Sequence, residues 1–215
     1  MKALPMRKND SKGKLITFCG LDGAGKSTMI ELLTVYLKSR GKSFFLTKQP
    51  TDFVRNSDIF RNFQDSADHR GYDYLSLSLL AATDRVQHTS QVIQPQLDEV
   101  DYVISDRYIY SCLANLHARG YQDDGWLYDV SKAIIRPDLA FFINVPISQA
   151  VERVRRRPQE KDRYIDMAFQ EKLRSEYLEM AEWDNGYLID GTMPMRAEYA
   201  DMIREIEKLE DANHE

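Results

Sequence analysis

Gly20-Leu21-Asp22-Gly23-Ala24-Gly25-Lys26-Ser27-Thr28 decides how this chain is read. Its first eight residues fit G-x-x-x-x-G-K-[ST], and the setting is the one that pattern requires. The apolar run KLITFCG (14–20) precedes it, and a helical pattern over 26–40 follows, closed by Gly41. Glycines let the backbone curl until successive N–H groups point inward at phosphate oxygens, and the following helix adds its positive N-terminal end. Lys26 then reaches the β and γ phosphates of a nucleotide, and the Ser27 hydroxyl is placed to hold Mg²⁺. The pattern predicts phosphate binding by Gly20, Asp22, Gly23, Ala24, Gly25, Lys26, Ser27 and Thr28. It does not choose among kinase, GTPase and ATPase.

Four further β-rich runs lie downstream: SFFLTKQ (43–49), DYVISD (101–106), LAFFINV (139–145) and GYLID (186–190). They are continuously apolar more than alternating, as expected of strands buried on both faces of a parallel sheet. Helical patterns separate them. Residues 72–98 set Leu75, Leu79, Ala82, Val86, Ile93 and Leu97 on one stripe, and further helices are expected over 166–184 and 195–209. The alternation predicts an α/β protein: one domain over 14–210, with a five-stranded parallel sheet and helices on both faces.

The 215 residues carry 29 basic and 34 acidic groups, a net charge of −5, which argues against a nucleic-acid binder. Charge is unevenly spread. Residues 1–14 hold Lys2, Arg7, Lys8, Lys12 and Lys14 against Asp10, and with no apolar run they are expected to form a flexible tail over 1–13. No apolar stretch approaches the roughly 20 residues of a membrane helix. Cys19 and Cys112 lack metal-ligand spacing, and His69, His88, His117 and His214 make no zinc motif, so a reduced, cytoplasmic protein is expected, its metal arriving with substrate.

The third strand run ends in Ser105-Asp106-Arg107-Tyr108. A carboxylate at the carboxyl end of a buried strand beside a phosphate loop is well placed to hold Mg²⁺ through water or to orient the acceptor, and Arg107 offers a planar fork for phosphate. Asp84-Arg85 sits on the long helix. A basic cluster, Arg153, Arg155, Arg156, Arg157, Lys161 and Arg163, surrounds Pro158 and reads as a lid over about 153–165 that brings guanidinium groups to transferring phosphates.

The order of these features resembles the thymidylate kinase family across nearly all of residues 14–209: Asp-Gly inside the phosphate loop, a Thr-x-x-Pro segment at 47–50, Asp-Arg on a long helix, Asp-Arg-Tyr after strand three, and an Arg-rich segment ending in Asp162-Arg163. The resemblance implies ATP-dependent phosphorylation of dTMP with Mg²⁺, in a homodimer packed through helices. It assigns Lys26 and Ser27 to ATP and Mg²⁺, Asp22 to the neighbourhood of the acceptor sugar, and Arg85 and Arg107 to the acceptor phosphate; Arg55 or Arg61, from the loop after strand two, are our own additions to that clamp. The loop has no arginine at Leu21–Ala24, so the resemblance is to the type in which lid arginines, here Arg153, Arg157 and Arg163, stabilise the transition state.

The sequence departs from the family in three places. Gln49-Pro50-Thr51 replaces the usual segment after strand two, Ala81 stands where an aromatic ring four residues before the helix arginine stacks on the base, and Cys112 replaces a polar residue. Phe53, Tyr108 or Tyr110 would have to supply the ring, with Gln49 and Pro50 lining the acceptor site. These departures motivate an alternative acceptor, a deoxynucleoside or another monophosphate. A nucleotide-hydrolysing switch and a non-catalytic nucleotide binder are the remaining alternatives.

Overall fold

The structure is a computed structural model describing residues 3–65 and 71–211; Lys2, His69 and His214 lie outside them. In chain order the elements are β1 (Lys14–Cys19), α1 (Lys26–Ser39), β2 (Phe44–Lys48), α2 (Asp52–Arg55), α3 (Asp58–Asp65), α4 (Tyr74–His88), α5 (Gln94–Glu99), β3 (Tyr102–Asp106), α6 (Tyr110–Ala118), α7 (Gly125–Ser131), β4 (Leu139–Asn144), α8 (Ile147–Arg155), α9 (Met167–Ala181), β5 (Gly186–Asp190) and α10 (Met195–Asp211). All five strands are parallel, in the order β2-β3-β1-β4-β5. β1, at the centre, buries Leu15, Ile16 and Phe18 completely, and Phe18 stacks on Phe141 of β4 at 5.1 Å.

Right-handed crossovers decide where the helices lie. From β1 the chain moves outward to β2 through α1, whereas β2→β3, β3→β4 and β4→β5 all step the opposite way across the sheet. α1 therefore covers one face, joined by α10, and α4, α6 and α9 cover the other, where α6 packs against both neighbours. Because the connections leaving β1 and β3 depart on opposite faces, a crevice opens between the carboxyl ends of these adjacent strands, the place where open α/β sheets bind ligands.

Two expectations change. The 72–98 helix is present, but a π-helical turn (Thr89–Ile93) joins α4 to α5. Pro95 is the reason: it lacks an N–H and its ring would clash with the carbonyl four residues back, so the turn before it widens. The N-terminal tail, expected to be free, is docked from Leu4 onward. Leu4 is buried, the Arg7 N–H donates to Ile134 O at 3.0 Å, and Arg7 O accepts from the Arg136 N–H at 2.7 Å. Asn9 Nδ2 donates to Asp138 Oδ2 and Gly13 O at 2.7 and 2.8 Å.

Candidate active site

The loop from Gly20 to Gly25 turns where only glycine fits. Gly20 and Gly23 have φ of +137° and +82°, and a Cβ on them would lie 2.7 Å from Ile143 O and 2.2 Å from Ala150 O. Gly25, at +109°, leads into α1, so Ser27 and Thr28 occupy its exposed first turn among N–H groups with no intrahelical acceptor. Ala24 is buried beneath. Lys26 folds back over the loop: Nζ donates to Leu21 O at 2.8 Å and Gly20 O at 3.2 Å. Burial, and after it the charge of Arg107, lowers its pKa to about 8. Below it the Cys19 thiol is pushed up to about 12 by burial and is inert.

Register brings the third strand's motif to the same place, since Phe18 pairs with Asp106. Arg107 takes a left-handed backbone conformation (φ 70°), uncommon for a non-glycine residue, and its N–H donates to Phe18 O at 2.8 Å. The turn aims its guanidinium at the loop, where Nη2 meets Asp22 Oδ1 at 2.5 Å and Nη1 donates to Gly20 O at 3.2 Å. Burial would raise the Asp22 pKa, but Arg107, followed by Lys26 and Arg163, holds the carboxyl well below the usual carboxylate range. Asp106 Oδ2 pairs with Lys48 at 3.6 Å, while Oδ1 is buried with no hydrogen-bond partner.

The basic segment approaches from the other side. Arg163 Nη2 reaches Asp22 Oδ2 at 3.0 Å and its Nη1 reaches Glu160 at 2.9 Å. Arg153 Nη1 lies 3.4 and 3.3 Å from the Gly23 and Ala24 carbonyls. Arg157 is exposed and pairs with Glu160 at 3.0 Å, so the structure does not bring it to the loop.

One row of α4 organises the far wall. Asp84 accepts from the Thr51 N–H at 2.9 Å and from its hydroxyl. The buried Arg85 donates to Tyr108 O at 3.3 Å and Ala81 O at 2.8 Å. His88 Nδ1 accepts from Gln49 Nε2 at 3.0 Å, leaving its Nε2–H for Thr47 Oγ1 at 2.8 Å, and burial lowers its pKa, keeping it neutral at pH 7. Gln49 and Pro50, joined by a cis peptide, are buried, and Gln49 Oε1 has no hydrogen-bond partner. Arg55 Nε holds Pro50 O at 2.7 Å, its pKa lowered by burial and then by Arg107.

Two expected residues lie elsewhere. Tyr108 and Tyr110 are core residues with no accessible face: the Tyr108 hydroxyl donates to Ile135 O at 2.8 Å, and Tyr110 accepts from Asn185 at 2.7 Å. Neither can stack on a base, because the apolar turn that follows strand three draws both rings inward. Phe53 is 70% exposed, and Arg61, also exposed, donates to Asn56 at 3.2 Å. Ala81 is half-buried. The aromatic cluster near this wall was not legible. Arg119 lies over Tyr74 at 4.2 Å and Phe169 at 4.3 Å, joining three helices distant in sequence.

A lysine-bearing glycine loop at the sheet's switch point, faced by a strand-end arginine and by arginines from a separate basic segment, defines the class of P-loop phosphotransferases. Comparison narrows it. The family described as "Thymidylate kinase" matches residues 18–205. The probable thymidylate kinase of Pyrococcus horikoshii is 37% identical over 80% of this chain and 84% of its own length, and that of Thermococcus kodakarensis 36% over 76% and 82%. The thymidylate kinase of Sulfurihydrogenibium sp. is 36% identical over 84% and 90%. The chain belongs to the thymidylate kinase family, and it is a kinase.

Proposed function

We propose that this chain transfers the γ-phosphoryl group of ATP to dTMP, giving dTDP, in the crevice between β1 and β3. The observation that carries this reading is the convergence of Lys26, Arg107, Arg153 and Arg163 on one loop. ATP's phosphates would lie along Gly20–Thr28, with Lys26 exchanging its two carbonyl partners for phosphate oxygens. Arg107 would receive the acceptor's phosphate, and Arg85, held against the Tyr108 carbonyl, would form the wall beside it. Asp22 separates the two ligands and keeps Arg107 and Arg163 aimed inward until phosphate replaces it as their partner.

Phosphoryl transfer asks little covalent chemistry of the protein; positioning and positive charge lower the barrier. Arg153 and Arg163 are the lid groups placed to neutralise charge that develops on the transferring oxygens. Mg²⁺ fits the donors present: the orphaned Asp106 Oδ1 and the exposed Ser27 hydroxyl are hard oxygen ligands beside the loop. Held by Asp106 and Ser27, it would supply positive charge that neutralises the transferring phosphates. No helix among the described residues is long and apolar enough to cross a membrane. We assign the protein to the cytoplasm, in keeping with two buried free cysteines, and to a homodimer through its helices, as the family resemblance implies.

A coupled ADP-release assay tests this reading. ADP formation should require both ATP and dTMP, and Lys26→Ala should abolish it. ADP release that ignores the acceptor, or near-normal turnover by Lys26→Ala, would overturn it.

A further inference from the structure

Among the described residues, the Arg107 guanidinium has one side-chain hydrogen-bond partner outside the phosphate loop. Its Nη1 donates to the hydroxyl of Tyr177 at 3.2 Å, and that hydroxyl donates in turn to Ser111 Oγ at 3.1 Å. Tyr177 is buried on α9, its ring 6.2 Å from that of Phe142. A guanidinium only donates, so the Tyr177 hydroxyl accepts from Arg107, which leaves its single proton for Ser111.

The guanidinium's other partners, Gly20 O and Asp22, belong to the loop that would have to yield as phosphates enter. Tyr177 does not. It is held by a seam between α6 and α9 that His117 closes at the opposite end, with Nδ1 3.1 Å from Glu176. The same chain segment that sends Arg163 to one oxygen of Asp22 thus sends Tyr177 to the arginine on the other oxygen.

We propose that Tyr177, with Ser111 behind it, is a positioning residue that holds the Arg107 guanidinium in its working orientation when Asp22 releases it. The inference rests on Arg107 being the arginine that receives the acceptor phosphate. It makes α9 more than a cover for the sheet: the helix that follows the lid also fixes the acceptor side of the reaction.

Tyr177→Phe removes one oxygen and keeps the packed ring. It should raise KM for dTMP about tenfold, as expected for loss of a hydrogen bond to a charged group, while leaving KM for ATP within about twofold. Ser111→Ala should move KM for dTMP the same way by less, and the double variant should be no worse than Tyr177→Phe alone. Thermal unfolding midpoints of the variants should stay close to the parent's. Equal rises in both KM values, additive effects, or an unchanged KM for dTMP would overturn the proposal. Arg107→Ala separates the two levels: if it raises KM for dTMP and Tyr177→Phe does not, only the positioning role falls; if Arg107→Ala leaves it unchanged, the reading of Arg107 falls first.

Discussion

Arg163 and Asp22 are joined at 3.0 Å across 141 residues of chain, tying the far end of the basic segment to the phosphate loop through a carboxylate that also holds Arg107. This bridge ranks the lid arginines. Arg163→Ala should lower kcat about a hundredfold with KM for ATP little changed, the pattern of a group that acts mainly in the transition state. Arg157→Ala, which removes only an exposed pair with Glu160, should cost less than about threefold. Steady-state kinetics of the two variants check the ranking.

Lys26 gives a proton-linked prediction. In the free protein its pKa is lowered to about 8, while phosphates held against it favour the charged form and raise it. ATP binding should therefore take up a fraction of a proton at pH 8.5 and far less at pH 6.5, and affinity should weaken as pH climbs past 8. Calorimetry in buffers of different ionisation enthalpy measures the uptake. Lys26→Arg, charged throughout, should abolish it.

Asp106→Asn tests the proposed metal ligand. It keeps the size of the side chain and weakens the hard oxygen donor, so the Mg²⁺ concentration giving half-maximal activity should rise several-fold, with excess Mg²⁺ restoring part of the rate. Chelation by EDTA should stop both proteins. An unchanged Mg²⁺ requirement would remove Asp106 from the metal site.

Gly23→Ala should damage the loop more than its size suggests. The new methyl would sit 2.2 Å from the Ala150 carbonyl, with the backbone at φ +82°, so either the loop or α8 must shift. We expect loss of detectable ATP binding by calorimetry and an unfolding midpoint lower by several degrees. Gly71→Ala meets no atom within 4 Å and, despite its positive φ, should leave ATP binding intact.

The docked arm predicts a stability effect remote from the site. Leu4→Ala should cost about 2 kcal/mol, the low end for a buried leucine, which lowers the melting temperature of a protein this size by roughly 4–8 °C. KM values should not move. A melting temperature unchanged within a degree would show that the arm does not stabilise the domain.

Much of this was written locally in the chain. The runs 14–20, 101–106 and 139–145 became strands buried on both faces, because continuous apolar sequence suits the middle of a parallel sheet, whereas 43–49 and 186–190 became half-exposed edge strands. The Gly20–Ser27 loop announced itself through backbone requirements that few residues meet. What stayed hidden depends on contacts across the fold. α6 is buried almost throughout, so it shows no amphipathic period, and the fate of Tyr108 and Tyr110 depended on which way its first turn faced. The arm's basic residues masked a buried apolar anchor, Leu4, and side chains that match partners more than 80 residues away. Tyr177 lies 70 residues from Arg107, and no spacing in the sequence links them.

The π-helical turn at Thr89–Ile93 acts as a phase shifter. An added residue rotates everything on one side of it by about 100° relative to the other, so the sheet-facing stripe through Ile93 and Leu97 and the crevice-facing row Asp84, Arg85 and His88 need not share one helical phase. Pro95 is what stops the helix from relaxing to a regular pitch. The alignment of Thr47, Thr51 and the Tyr108 carbonyl against α4 is therefore set, in part, by Pro95.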